Sequence, residues 1–183
     1  IGCSIDRPNS IIMLTKTLIE KYFLAEKQES LLFISIGIIA ILLAILGWLY
    51  FKTAFWKGAS IPFLAIALLQ IIVGYTVYSR SDEQRVDMVY SLDMNPDQLT
   101  KVELPRMEVV NKNFVIYRWV EIVLVLVGMG LYVNFRENTP QEFWKGFGFA
   151  LCLQALLMLG ADYFAEQRAH ESTAALSSFS VKK

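Results

Sequence analysis

The chain has 183 residues, 55% of them hydrophobic and 19% charged, and seventeen basic residues balance seventeen acidic ones. That balance offers no basic footprint for nucleic acid. One histidine, His170, and two cysteines, Cys3 and Cys152, exclude a bis-histidine haem, a His/Cys zinc site and a Cys-x-x-Cys redox centre within one chain.

Residues 1–12, IGCSIDRPNSII, read as a disordered leader, or as residues placed upstream of a natural start at Met13. The segment 11–29 puts Ile11, Leu14, Leu18, Ile19, Tyr22 and Phe23 on one side, with Lys16, Glu20, Lys27 and Glu29 mainly elsewhere, and the helix is placed at 13–30. This pattern predicts an amphipathic helix lying on the membrane surface, with packing against the central connection as the alternative. Its charge is too balanced to mark a preference for anionic lipid.

A bilayer core of about 30 Å needs roughly 20 mainly apolar helical residues. Residues 31–51 supply 21 without a charge. A second uncharged span covers 59–79, with Pro62 expected in its first turn, where a missing N–H costs little. The third span is placed at 115–135, with Arg118 and Glu121 near its start, and the fourth at 143–164, between Lys145 and Asp162. Continuous apolar runs argue for helices and against barrel strands, which alternate apolar and polar residues. The expected fold is therefore all-α: a polytopic membrane protein with four transmembrane helices arranged as two hairpins, 31–79 and 114–165. A linker or cap at 80–113 joins the hairpins, and a polar tail follows at 166–183.

The hairpins carry a gapped repeat. FWKG occurs at Phe55–Gly58 and again at Phe143–Gly146, each preceded by Leu-Tyr and followed by Leu-Gln. This predicts an internal duplication, with two halves of the same orientation. Thirteen of the seventeen basic residues fall in the N-terminal segment, the central connection and the C-terminal tail, against four in the two short hairpin loops. The positive-inside rule then places both termini in the cytoplasm of a cell bounded by a plasma or bacterial inner membrane. Rings at Trp48, Tyr50, Phe51, Phe55 and Trp56, and at Tyr132, Phe135, Phe143 and Trp144, suit the opposite headgroup layer.

Few residues suggest chemistry. Gln70 and Gln154 lie near the middles of spans two and four at matching repeat positions. An amide in hydrocarbon needs a partner, so they read first as helix-to-helix glue and second as a polar site. Glu121, with Arg118 three residues earlier, reads as an interfacial ion pair before it reads as a proton site. Asp162 is expected to be neutralised by Arg168. Gly37, Ala40, Ala44 and Gly47 form a small-residue stripe for close packing, either inside the chain or between copies. Cys152 reads as packing and His170 as solvated.

No Gly-rich phosphate loop, G-x-S-x-G elbow or H-E-x-x-H is present. The sequence therefore points to a non-catalytic membrane protein without a cofactor. Its expected partners are membrane lipid and another protein, or further copies of itself, and an immunity or accessory protein to a membrane-acting partner is one concrete version. The alternatives are a small transporter or channel with a polar site around Gln70 and Gln154, then a lipid-directed enzyme.

Overall fold

The structure, a computed structural model, describes residues 14–137 and 139–181; the leader reading of 1–12 lies outside these residues. Four long helices account for nearly all of the described chain: α1 (Lys16–Phe51), α2 (Ala54–Met94), α3 (Pro96–Asn134) and α4 (Glu142–Val181). All four are long and apolar enough to cross a membrane.

Their ends follow local chemistry. The Thr15 and Thr53 hydroxyls cap α1 and α2, accepting from the Leu18 and Trp56 backbone N–H groups at 3.2 and 3.4 Å. The last turn of α1, Gly47–Phe51, widens to a π-helix, and Lys52 at φ 53° then turns the chain into the left-handed region. Pro96 opens α3 directly after Asn95, and a second π-helical turn, Leu99–Glu103, precedes its straight portion Leu104–Asn134.

The helices overrun the expected spans. At 1.5 Å per residue, 36 to 41 residues make about 54–62 Å, nearly twice the hydrocarbon thickness of about 30 Å. Residues 16–30 are accordingly not a separate helix lying along a bilayer but the opening turns of α1. Nothing between Lys27 and Ser35 breaks a helix, so the backbone ladder continues from the polar half into the apolar half. The linker read at 80–113 is the end of α2, a tight turn at Asn95 and the start of α3. The tail read from 166 onward is the continuation of α4. Pro62 lies nine residues into α2 instead of in its first turn, so the Gly58 carbonyl lacks its usual helical donor.

Antiparallel pairs α1–α2 and α3–α4 form two hairpins, which meet through α2 and α4. Beyond the apolar stretches, Ile19 and Phe23 of α1, Met88 of α2, Leu99 and Met107 of α3, and Ala169 and Leu176 of α4 form one core. Within the apolar stretches the core is Ala40, Ala44, Ala59, Phe63, Ala67 and Ala150. The contrast follows from the solvent. In water, burying a large apolar side chain contributes roughly 1.5–3 kcal/mol. In lipid that gain vanishes, and small residues that let backbones approach take its place.

The closest approaches are at glycines. A Cβ on Gly58 would stand 2.0 Å from the Phe143 carbonyl oxygen, and one on Gly146 would stand 1.9 Å from that of Phe55. The two FWKG segments thus cross reciprocally, each glycine admitting the other segment's carbonyl. Gly128 and Gly148 do the same for α3 and α4, and Gly37 and Gly74 for α1 and α2. Overpacking a tight contact costs typically about 1–3 kcal/mol. Gly58→Ala and Gly146→Ala should each destabilise by about that amount or more. Gly130→Ala and Gly160→Ala, with nothing within 4 Å of the new methyl, should be neutral or stabilising. Thermal unfolding of the four variants in one mild detergent checks the contrast.

Candidate functional site

The residues singled out in the sequence fall in three places. Gly37, Ala40, Ala44 and Gly47 are all buried and face α2. A Cβ on Gly37 would meet Ala67 and Ile71, Gly47 lies against Trp56 and Ser60, and the Ser60 hydroxyl sits 3.0 Å from the Ala44 carbonyl oxygen. The stripe is therefore occupied inside the chain.

Gln70 and Gln154 are buried in α2 and α4, and Gln70 Oε1 and both polar atoms of Gln154 lack a hydrogen-bond partner. They do not stand at equivalent depths. Gln70 is twelve residues beyond Gly58 and Gln154 eight beyond Gly146, a difference of one helical turn, about 6 Å. Neither lines the groove that contains Glu121.

The third place is that groove, about 480 Å³ between α3 and α4 near the end of their apolar stretches. Glu121 is 3% exposed, and neither of its carboxyl oxygens accepts from an N–H or hydroxyl donor; its one neighbour within hydrogen-bond reach is the Asp162 carboxyl. Asp162 lies across the helix interface, close enough for direct charge interaction. The expected pairings are not the ones formed. Arg118 turns to Glu166 on α4, with Nη1 3.2 and 3.1 Å from its two carboxylate oxygens. Arg168 reaches Glu29 on α1 instead of Asp162. The reason is reach. Gly128 lies beside Gly148 and Cys152, and that antiparallel alignment puts Arg118 near the level of Asp162, but its long side chain extends a turn further along α4 to Glu166. His170 is exposed, with its Nε2 3.5 Å from Glu166 Oε1.

Glu166 and Glu29 were not among the sequence candidates. Folding the chain about the turn near 136–142 brings the 160s opposite the start of the third span, a signal for Glu166 present in the loop position alone; Glu29 lies on α1 of the other hairpin, and no spacing in the sequence points to it.

A belt of polar contacts marks the same level on the other hairpin. Lys27 bonds Asp82, Arg80 approaches Glu26 at 3.8 Å, and the Ser81 hydroxyl donates to Glu26 at 3.1 Å. Further along, inside the water-side core, burial pushes the Tyr22 hydroxyl well above its ordinary value, and this neutral hydroxyl lies 3.8 Å from Met107 Sδ. Among the described residues no group of three or more His, Cys, Asp and Glu side chains is arranged to hold a metal ion.

The fold places the protein in a broad class: an all-helical chain with four helices long and apolar enough to span a membrane. Comparison with known proteins finds no matching family model, no similar curated protein and no similar solved structure.

The re-paired charges make a testable contrast. Arg118→Gln leaves the buried Glu166 without its guanidinium and should cost about 1–3 kcal/mol, the range for hydrogen bonds to charged groups. Glu121→Gln removes a carboxylate that has no cation and should leave stability equal or higher. Equal losses in the two variants, measured by thermal unfolding, would mean that Arg118 and Glu121 pair with each other.

Proposed function

We propose that this protein is a non-catalytic integral membrane protein that binds another protein at the membrane, through the part of the bundle that lies in water. The observation that carries the reading is an apolar groove of about 470 Å³ on the water-side extension of α2, lined by Val86, Val89, Tyr90 and Met94. Val86, Tyr90 and Met94 recur every four residues, so they share one helix face, and they are 61, 63 and 70% exposed. Lipid accounts for the exposure of Leu42, Ile72 or Val123. It does not account for Met94, fifteen residues past the apolar stretch that ends at 79, or about 22 Å of helix. Glu20, Arg85 and Asp93 rim the groove with both signs of charge. An amphipathic helix of a partner protein, with apolar anchors one turn apart and mixed charges beside them, suits such a surface. A protein that neutralises or assists a membrane-acting partner is the concrete form of this proposal.

Two finer features belong to the same reading. The reciprocal crossing of Gly58 and Gly146 supports descent of the two hairpins from one duplicated unit, although the unequal depths of Gln70 and Gln154 mean that the copies have diverged by a turn. The concentration of basic residues on the water-side extensions supports a cytoplasmic location for them and for both termini, in a plasma or bacterial inner membrane. A transporter built around Gln70 and Gln154 is the weaker alternative, because neither glutamine lines either groove.

Orientation is checked by single cysteines in a Cys3→Ala, Cys152→Ala background. Cysteines in the 52–57 and 136–142 loops should react with a membrane-impermeant maleimide on intact cells, and those at 93–101 should not; the reverse pattern would invert the molecule. Partner binding is checked by a photo-crosslinking residue at Tyr90. It should give a discrete adduct with one other protein, lost on adding Val86→Asp and Met94→Asp and unchanged by Leu126→Ala on the lipid-facing side of α3. Adducts only with a second copy of the chain would recast the surface as a homo-oligomer contact.

A further inference from the structure

Two carboxyl groups at the edge of the apolar stretch have no cation of their own. Glu121 is almost wholly buried, receives a hydrogen bond from no N–H or hydroxyl, and meets only the Asp162 carboxyl across the α3–α4 groove. The charged groups around this pair come from three helices. Glu29 of α1 and Glu166 of α4 add negative charge, while Arg118 of α3 and Arg168 of α4 bring positive charge. Both guanidiniums are engaged, Arg118 with Glu166 and Arg168 with Glu29, and His170 also turns to Glu166. Four carboxylates against two guanidiniums leave the cluster two negative charges in excess when all are ionised. Glu121 and Asp162 have only each other: they lie within hydrogen-bond reach, which satisfies them only while one holds a proton, and the protein supplies no counter-charge here.

We propose that the groove between α3 and α4 binds one amphiphilic primary amine, its ammonium seated between the Glu121 and Asp162 carboxylates and its hydrocarbon chain lying against Ile122, Leu156 and Phe164. The volume of about 480 Å³ falls in the range of small-molecule sites. The lining is apolar apart from the charged cluster, so the groove offers one charged end and one oily wall. A divalent metal would need about six oxygen ligands, and no group of three or more ligating side chains stands here among the described residues. A primary ammonium carries three donors and needs only carboxylate oxygens to accept them. A quaternary ammonium has no donor to give them.

The depth fits as well. Glu121 lies six residues inside the start of its span at 115, about 9 Å, and Asp162 two residues from the end of its own, at 164. This is the level at which an amphiphile changes from headgroup to tail. Two sources share the chemistry: a bilayer phospholipid with an ethanolamine headgroup, and a free long-chain amine.

The full chain, purified in a mild detergent, is offered equal amounts of phosphatidylethanolamine and phosphatidylcholine, and separately dodecylammonium and dodecyltrimethylammonium, and bound species are read by native mass spectrometry. The primary amine should be retained over its quaternary counterpart in at least one pair. Glu121→Gln should reduce that retention about tenfold, the equivalent of one charge-assisted contact. Leu156→Trp, which fills the oily wall and keeps both carboxylates, should reduce it too and serves if the Glu121 variant does not fold. Preference for the ethanolamine lipid identifies the bilayer as the source, and preference for dodecylammonium alone identifies a free amphiphile; either supports the site. Equal retention within both pairs, or a preference that survives both substitutions, overturns it.

Discussion

The crossing of α2 and α4 holds the architecture together. Each of these helices carries the same four residues from its second position, and at the glycine ending that tetrapeptide each admits a carbonyl oxygen of the other to a distance that no side chain would allow. In lipid, apolar side chains gain little by leaving one apolar surroundings for another, so association depends on close contact and on hydrogen bonds. Glycine at the crossing supplies the closeness. Once α2 and α4 are locked, α1 can join only along α2 and α3 along α4, and the outer faces of α1 and α3 are left to the membrane. The open α3–α4 groove is a consequence of that arrangement, because α3 packs along a single neighbour for most of its apolar length and is the least buried of the four.

The same four helices serve two solvents. Their apolar halves meet through alanine and glycine, and their polar halves through Phe23, Leu99, Met107 and Leu176. Ion pairs gather where one regime gives way to the other: Lys27 with Asp82, Arg168 with Glu29, Arg118 with Glu166. At that level a long side chain can keep its charge near water while its stem covers apolar surface. Cross-helix pairs there also fix the rotation of each helix, and so decide which face of α2 carries Val86, Tyr90 and Met94 outward.

The two grooves differ in chemistry in a way that follows from their positions. The water-side groove combines exposed apolar side chains with rim charges of both signs, suited to a polypeptide. The membrane-edge groove has an oily wall and an uncompensated negative end, suited to a small amphiphile. They lie on different hairpins and share no lining residue.

The sequence alone determined that the chain is helical and that four of its stretches can cross a bilayer, because long uncharged runs leave the backbone no other way to satisfy its polar groups in lipid. It also marked the FWKG segments, the small-residue stripe and the intramembrane polar groups. It did not reveal that the flanking segments at 16–30 and 166–181 continue the spanning helices, since an amphipathic pattern is the same whether the apolar side meets a membrane or a neighbouring helix. Only the packing of Ile19 and Phe23 against Met88, Leu99 and Met107 decided between the two. The partners of Arg118 and Arg168 were likewise beyond a reading by spacing along one helix. Residues three apart on one helix do share a face, but a guanidinium on its long stem can reach a carboxylate of a neighbouring helix a turn away, as Arg118 reaches Glu166 and Arg168 reaches Glu29. The contact of Gly128 with Gly148 and Cys152, a matter of close fit between two backbones, brings α3 and α4 near enough for Glu121 and Asp162 to meet, and the reach of Arg118 to Glu166 and of Arg168 to Glu29 leaves that pair without a cation.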